Sequence, residues 1–332
     1  MLCKVYINKE KRKLTVCHWS MENGSGMYNV AKSFVEGEKK LGIDSHFCNP
    51  AWRLRENWIY DADINVVHTD LPEEVRRKGK AIVWVSHGTP EHVFQTAVEQ
   101  SHEGYGHQDS FALAQHWMRV SDAVVTFWPR HAWILRGLSD KRTIVEAIPL
   151  GIDRGFWSGE SRGKFLGDPS VFTAENCHQI KWPLDLFILW PEIWKSFVGA
   201  RLHAFYIPYD MHRYFFPLLN RNGSGYTVHI KAGAASQEDL RNAFLSTDYY
   251  CGLVRYGDFN RTSHEANACG AKTISYKGNP YSAYWISEGD QREMSREMIS
   301  ILKCETEPRK DRLEVPSIEE QAKGMVDVYS RL

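Results

Sequence analysis

Short β-branched runs alternate with stretches of helical period along almost the whole chain, and this alternation constrains the fold more than any other feature. In the first half LTVCHW (14–19), DINVVHTD (63–70), KAIVWVSHG (80–88), SDAVVTFW (121–128) and TIVEAIPLG (143–151) read as strands. The stretch after MENGSG carries Met27, Val30, Ala31, Phe34 and Leu41 at helical spacing, with Gly42 as its C-terminal cap. The second half repeats the pattern, with strands at VFTA (171–174), HAFYIPY (203–209), GYTVHIKAG (225–233), YYCGLVRY (249–256) and AKTISY (271–276). SQEDLRNAFLSTDYY opens as a helix with Ser236 and Asp239 at capping-box spacing. PLDLFILWPEIW reads as a helix that Pro191 ends or kinks. Repeated βα units imply mostly parallel sheets, whose ligands sit beyond the C-terminal ends of the strands. Two successive sets imply two α/β domains with a cleft between them, and 332 residues are enough for two cores.

The bulk composition narrows the function classes. A formal net charge of zero gives no support to strong non-specific nucleic-acid binding. Seven scattered cysteines, odd in number and without a close CxxC, indicate neither a disulfide framework nor a zinc finger, and fit a reducing compartment. The His-rich stretch SHEGYGHQDSFALAQHW (101–117) matches no zinc-ligand spacing, so no metal site is assigned. No apolar run is long enough to cross a bilayer, and the N-terminal MLCKVYINKEKRKL is too polar for a signal peptide. The expectation is a cytoplasmic protein without a transmembrane segment.

Four places carry candidate chemistry. Gly24, Ser25 and Gly26 form a turn between a strand and a helix, where backbone can approach a ligand and a helix start favours an anion; plain turn geometry is the other reading. His87 ends a strand, where it either packs the loop or faces a substrate. Lys181 lies just before a helix start, an unfavourable place for a cation unless an anion sits there too. In HEANACGAKTIS (264–275), Glu265 sits just before a small-residue run, a glycine and a strand.

The order of elements, and above all RYGDFNRTSHEANACGAKTISYKG (255–278), resembles the retaining nucleotide-sugar glycosyltransferases of the GT-B fold, in particular the glycosyltransferase group 1 (GT4-like) members. The resemblance implies two facing Rossmann-like domains with an interdomain cleft. It divides the chain into an acceptor-side domain (1–157), a nucleotide-sugar donor domain (158–305) and a tail (306–332) whose helix packs back on the first domain. It implies that Glu265 holds the donor ribose hydroxyls, since a carboxylate accepts two hydroxyl hydrogen bonds. Lys181 would neutralise the leaving diphosphate, with Arg255 compensating for Asn176, which replaces a family arginine. The acidic position eight residues before Glu265 falls on Gly257, so Asp258 is assigned the sugar-contacting role. Phe259, Asn260, Arg261 and Thr262 complete the donor loop, with Gly24, Ser25 and Gly26 on the other domain. His87, Lys181 and Asp258 are the catalytic candidates, and His87 would stabilise oxocarbenium-like charge. In AIPLGIDRGFW (147–157), Gly151 and Asp153 are kept as a structural landmark. The implied reaction moves a sugar from a UDP- or GDP-linked donor, without a required metal, to a hydroxyl acceptor, commonly a glycan. A hydroxymethylated DNA base is the alternative acceptor, and a degenerate nucleotide-sugar-binding protein is the non-enzymatic alternative.

Overall fold

The computed structural model describes residues 13–22, 26–51, 61–76, 78, 80–87, 110–161, 163–174, 184–205, 225–229, 235–254 and 261–332. These fall into two compact units. One contains the described residues through Gly151 together with Pro316–Leu332, and the other contains Ile152–Val315. The divisions therefore lie at 151/152 and 315/316, beside the sequence expectation of 157/158 and 305/306.

In the first unit the elements run β1 (Thr15–Trp19), α1 (Gly26–Lys40), β2 (Asp44–Cys48), β3 (Ile64–Val67), α2 (Glu73–Arg76), β4 (Ala81–Val85), α3 (Ser110–Val120), β5 (Ala123–Thr126), α4 (Pro129–Leu138) and β6 (Ile144–Ala147), with α9 (Ile318–Tyr329) added from the C-terminal end. All pairings are parallel, in the order β2-β1-β3-β4-β5-β6. Strands β3 and β5 are buried along their whole length, as expected of a sheet covered on both faces. Helix α1 stops where the sequence indicates. Ile43 N–H bonds the Glu38 carbonyl, Gly42 N–H bonds that of Lys39, and Gly42 has φ +83°, a left-handed conformation that glycine adopts without steric cost. Helix α9 lies against α1, and the contact is close because Gly37 has no side chain. A Cβ there would stand 2.3 Å from the Ile318 carbonyl oxygen. Gly151 is under the same constraint, 2.3 Å from the Ser317 carbonyl oxygen.

The second unit runs β7 (Ser170–Thr173), α5 (Leu184–Ser196), β8 (Arg201–Ala204), β9 (Tyr226–Val228), α6 (Gln237–Ser246), β10 (Tyr249–Cys251), α7 (Arg261–Ala268), β11 (Lys272–Tyr276), β12 (Tyr284–Ile286) and α8 (Gln291–Leu302). Its sheet is also parallel, in the order β12-β11-β10-β7-β8-β9. Leu186, Phe187, Trp190 and Ile193 of α5 pack with Val171, Leu202, Ile274 and the α8 residues Met294, Met298 and Ile301. That packing explains why α5 continues through Pro191 to Ser196 instead of ending there: core burial outweighs the roughly 3 kcal/mol cost of an interior proline. The capping box at the start of α6 forms as the sequence indicates, with Asp239 N–H bonded to Ser236 Oγ and Ser236 N–H to the Asp239 carboxylate.

Cys17 on β1 and Cys48 on β2 are joined as a disulfide, with Cα atoms 6.4 Å apart. Neighbouring parallel strands bring these two residues together from 31 positions apart, a pairing that cysteine spacing in the sequence does not indicate. Among the described residues Cys251, Cys269 and Cys304 are not part of a disulfide. Among the described residues no helix is long and apolar enough to cross a membrane.

Candidate functional site

Among the described strands each sheet has one place where the strand order reverses, and such switch points are where open parallel sheets bind ligands. In the first unit the reversal lies between β1 and β3; in the second it lies between β7 and β10.

At the first reversal three histidines climb the sheet towards its C-terminal edge. His18 is the fourth residue of β1, His68 follows β3 directly, and His87 lies two residues beyond β4. The register places His18 beside Val66, and Val67 beside Trp84. Each histidine is thus two positions further along than the one on the preceding strand. Since side chains alternate between faces with a period of two, all three lie on the same face. The steps close into hydrogen bonds, His18 Nδ1 to His68 Nε2 at 3.0 Å and His68 Nδ1 to His87 Nε2 at 2.8 Å. At the inner end His18 Nε2 meets Glu38 Oε2 of α1 at 3.0 Å, and Tyr329 Oη of α9 donates to Glu38 Oε1 at 2.6 Å. His18 and Glu38 are fully buried, while His87 is partly exposed. Phe34 flanks both inner rings, its centroid 5.6 Å from His18 and 5.8 Å from His68.

Burial dominates the electrostatics of this chain. It lowers the pKa of His87 to about 3 and, with the nearby charges of His87 and His18, holds that of His68 well below the usual imidazole value. For Glu38 burial works against ionisation. The attraction of His18 and the hydrogen bonds from His18 and Tyr329 outweigh it, so the carboxyl ends below its usual range. Burial and the Glu38 charge raise the Tyr329 phenol.

At the second reversal β10 leads towards α7. Tyr250 of β10 donates its hydroxyl to Thr262 Oγ1 at 2.6 Å, tying the first turn of α7 to the sheet. Glu265, one turn into the helix, is buried, and its Oε1 accepts from Arg261 Nε at 2.6 Å. The rest of the motif is helix punctuation. Ala271 N–H bonds the Ala266 carbonyl, Gly270 N–H bonds that of Asn267, and Gly270 takes φ +87°. Asn267 Nδ2 donates to the Tyr281 carbonyl. Burial pushes the Cys269 thiol up to about 12, which rules it out as a thiolate nucleophile near neutral pH. Asp153 is also structural, its Oδ1 accepting from the backbone N–H of Gly155 and Phe156. A separate cavity of the second unit, about 780 Å³, is lined by Arg154, Asn267, Arg309 and Arg312 but not by Arg261, Thr262 or Glu265. Arg154 and Arg309 there donate to main-chain carbonyls, those of Val315 and Asn279.

Of the sequence candidates, the structure therefore brings Arg261, Thr262 and Glu265 onto one helix at a switch point. It sets His87 at the edge of the other sheet and Gly26 at the start of α1. Gly24, Ser25, Lys181, Arg255, Asp258, Phe259 and Asn260 lie outside the described residues. Sequence reading missed Glu38, His18, His68 and Tyr329. The available signal was a histidine at the end of each of three consecutive strand-like runs, together with a glutamate four residues after Phe34 on a helix. Among the described residues no group of three or more His, Cys, Asp or Glu side chains is arranged to hold a metal ion.

Comparison with solved structures identifies this architecture. The chain superposes on a sucrose-phosphate synthase from Thermosynechococcus elongatus with a TM-score of 0.70 at 13% identity, covering 96% of this chain and 99% of that one. The fold is GT-B. Anabaena HepE, solved in complex with UDP-glucose, gives a TM-score of 0.62 at 11% identity over 96% of this chain and 100% of that one. A putative UDP-N-acetylglucosamine 2-epimerase from Listeria monocytogenes gives 0.60 at 10% identity, with 96% of each chain covered. No protein-family model matches the sequence, and no curated protein matches it. At these identities the likeness establishes the GT-B architecture, and the chemistry has to be argued from the residues.

Proposed function

We propose that the chain is a retaining glycosyltransferase that moves a sugar from a UDP- or GDP-linked donor to a hydroxyl of a glycan. The observation that carries this reading is the placement of Glu265, a buried carboxylate one turn into the helix that follows β10 at the switch point of a GT-B-type sheet. In this reading Glu265 accepts hydrogen bonds from the ribose hydroxyls, and Arg261 fixes the carboxylate for that purpose. Lys181 and Arg255 neutralise the diphosphate, with backbone N–H groups of Asn260, Arg261 and Thr262 beside it. Asp258 and Phe259 contact the donor sugar side of the loop. Gly24, Ser25 and Gly26 let backbone approach the same ligand.

In the reaction the bond from the anomeric carbon to the leaving phosphate oxygen breaks, and a bond from that carbon to the acceptor oxygen forms on the same face. The departing phosphate takes the acceptor proton, leaving a nucleoside diphosphate and a glycoside of unchanged anomeric configuration. Positive charge develops on the sugar ring between these events. A neutral His87 suits that moment, because burial disfavours an imidazolium there and a second cation would repel the developing charge. The zero net charge gives a DNA acceptor no support.

The test is release of nucleoside diphosphate from a panel of UDP- and GDP-sugars with glycan acceptors, with the anomeric configuration of the product read by NMR. Transfer with retention, and a raised donor KM in folded Glu265→Ala, are the expected results. Isomerisation of the donor sugar without transfer, an inverted product, or normal kinetics for Glu265→Ala would each overturn the reading.

A further inference from the structure

We propose that Glu38, His18 and His68 are positioning residues for His87, forming a buried one-directional hydrogen-bond chain, anchored by Tyr329 on the second Glu38 oxygen, that fixes which ring nitrogen of His87 carries a proton. The order follows from the inner end. An ionised Glu38 can only accept, so Tyr329 Oη and His18 Nε2 must both donate to it. If His18 is neutral its Nδ1 is bare, and the bond at 3.0 Å requires His68 Nε2 to donate. His68 Nδ1 is then bare, and the bond at 2.8 Å requires His87 Nε2 to donate. With His18 neutral every ring takes the Nε2–H form and His87 presents a bare Nδ1; with His18 doubly protonated the order reverses, and His68 and His87 both carry the proton on Nδ1. The tautomer at the sheet edge is thus dictated by a carboxylate three hydrogen bonds away, as a histidine's outer nitrogen is generally set by what its inner nitrogen bonds.

The same geometry gives an added proton somewhere to go. A proton taken up from hydronium in the solvent at His87 Nδ1 is matched by passage of the His87 Nε2 proton to His68 Nδ1, and of the His68 Nε2 proton to His18 Nδ1. No proton is lost and none is created. His87 and His68 end neutral with protons on Nδ1, and the charge rests on His18 against the Glu38 carboxylate at 3.0 Å. Both His–His bonds have reversed together. Burial makes the two outer rings poor holders of a cation, whereas the innermost ring faces a carboxylate, so this end point follows from where the counter-charge lies. Tyr329 belongs to the device because it occupies the other Glu38 oxygen and comes from the C-terminal helix, so the chain is complete only when α9 is docked on α1.

The order of the tautomers stands independently of any catalysis. Its effect on turnover rests on the glycosyl-transfer reading, and the test separates the two. In 15N-labelled full-length protein, ring-nitrogen correlation spectra should show His18 Nε2 protonated and His68 and His87 in the same tautomer as each other, either both Nε2–H or both Nδ1–H. Glu38→Gln, whose amide can donate as well as accept, should leave His68 and His87 as mixtures. Tyr329→Phe removes a single hydroxyl and serves as the milder variant if Glu38→Gln does not fold; it should shift the His18 Nε2 signal and leave the order intact. With an active donor and acceptor pair, His68→Gln should lower kcat by about 10–100-fold with donor KM within about twofold, a split that loss of a merely structural contact would not produce. Mixed tautomers in the wild-type protein, or opposite ones at His68 and His87, overturn the proposal even if the enzyme is active. Ordered tautomers with no turnover of any nucleotide sugar leave the chain standing and sink the functional reading. Ordered tautomers with unchanged kcat in His68→Gln overturn its role in positioning His87.

Discussion

Replacing Gly37 by alanine should destabilise the first unit, against the ordinary rule for glycine in a helix. In the interior of an exposed helix this exchange gains about 1 kcal/mol, because alanine loses less backbone freedom on folding. Gly137, inside α4 with nothing within 4 Å of a Cβ added there, should follow the rule and gain about 0.5–1 kcal/mol. At Gly37 the new methyl meets the Ile318 carbonyl oxygen at 2.3 Å, the Ile318 carbonyl carbon at 3.0 Å and the Ala322 methyl at 3.1 Å. Ordinary contact begins near 3.4 Å, and the nearest atom is backbone, so α1 and α9 must part by about 1 Å. Overpacking of this kind costs about 1–3 kcal/mol, which cancels the propensity gain and leaves a net loss of up to about 2 kcal/mol. Because Glu38 is the next residue, the displacement also stretches its bond to Tyr329. Urea unfolding of wild type, Gly37→Ala and Gly137→Ala, followed by tryptophan fluorescence, measures the three stabilities, with the m-values checking that the two units have not uncoupled. If Gly37→Ala is stabilised as much as Gly137→Ala, the close approach of α9 to α1 is wrong, and with it the Tyr329 end of the histidine chain.

Gly151→Ala should also destabilise, since its Cβ would stand 2.3 Å from the Ser317 carbonyl oxygen; a thermal melt no lower than wild type would refute that contact. Burial, together with the charges of His229 and Arg201 and against a hydrogen bond to the Leu166 carbonyl, lowers the pKa of His203 to about 4. The unfolded chain therefore takes up that proton first, so stability falls as pH drops below 6.5 and the loss levels off below about 4, reaching at most about 3 kcal/mol. Comparing denaturation midpoints of wild type and His203→Gln at pH 7 and pH 5 checks this, and equal pH sensitivity in the two refutes it. Iodoacetamide followed by peptide mapping should label exposed Cys304 well before Cys269, whose thiol is pushed up to about 12; early labelling of Cys269 refutes the burial argument.

The strand pattern was legible because both sheets are covered on two faces, which makes their strands near-continuous β-branched runs. AVVT and INVV are examples, each buried throughout. The caps were legible for a similar reason: Ser236 with Asp239, and Gly42, act on their own backbone neighbours and need no tertiary information. Elements that depend on distant partners were not. DSHFC, which forms β2, carries three polar residues in five and is fixed by pairing with β1. YWI forms β12 by pairing with β11 after an Asn-Pro turn. Helix α8 was overlooked although Met294, Met298, Ile301 and Leu302 follow helical spacing behind an Asp290 cap. That Pro191 does not end α5 was not legible locally, because its cost is local and the compensation, burial of Phe187, Trp190 and Ile193, is tertiary.

The site divides along the same line. Glu265 stood out because its signal is contiguous: an acidic residue, small residues, a glycine and a strand all lie within twelve positions. Glu38 stood in a charged helix end, GEKK, where a solvated carboxylate is the ordinary reading. Its burial follows from phase, since it lies four residues after Phe34 and so on the face that meets the sheet. His18 and His68 each looked like strand-end polar residues, and only the sheet order β1-β3-β4 places them beside each other and beside His87. A buried carboxylate with two buried imidazoles is expensive to desolvate and has no packing advantage over apolar side chains of similar size. Its occurrence on a diagonal that ends at His87, at the C-terminal edge of the sheet, is what ties the group to His87 instead of to the stability of the core.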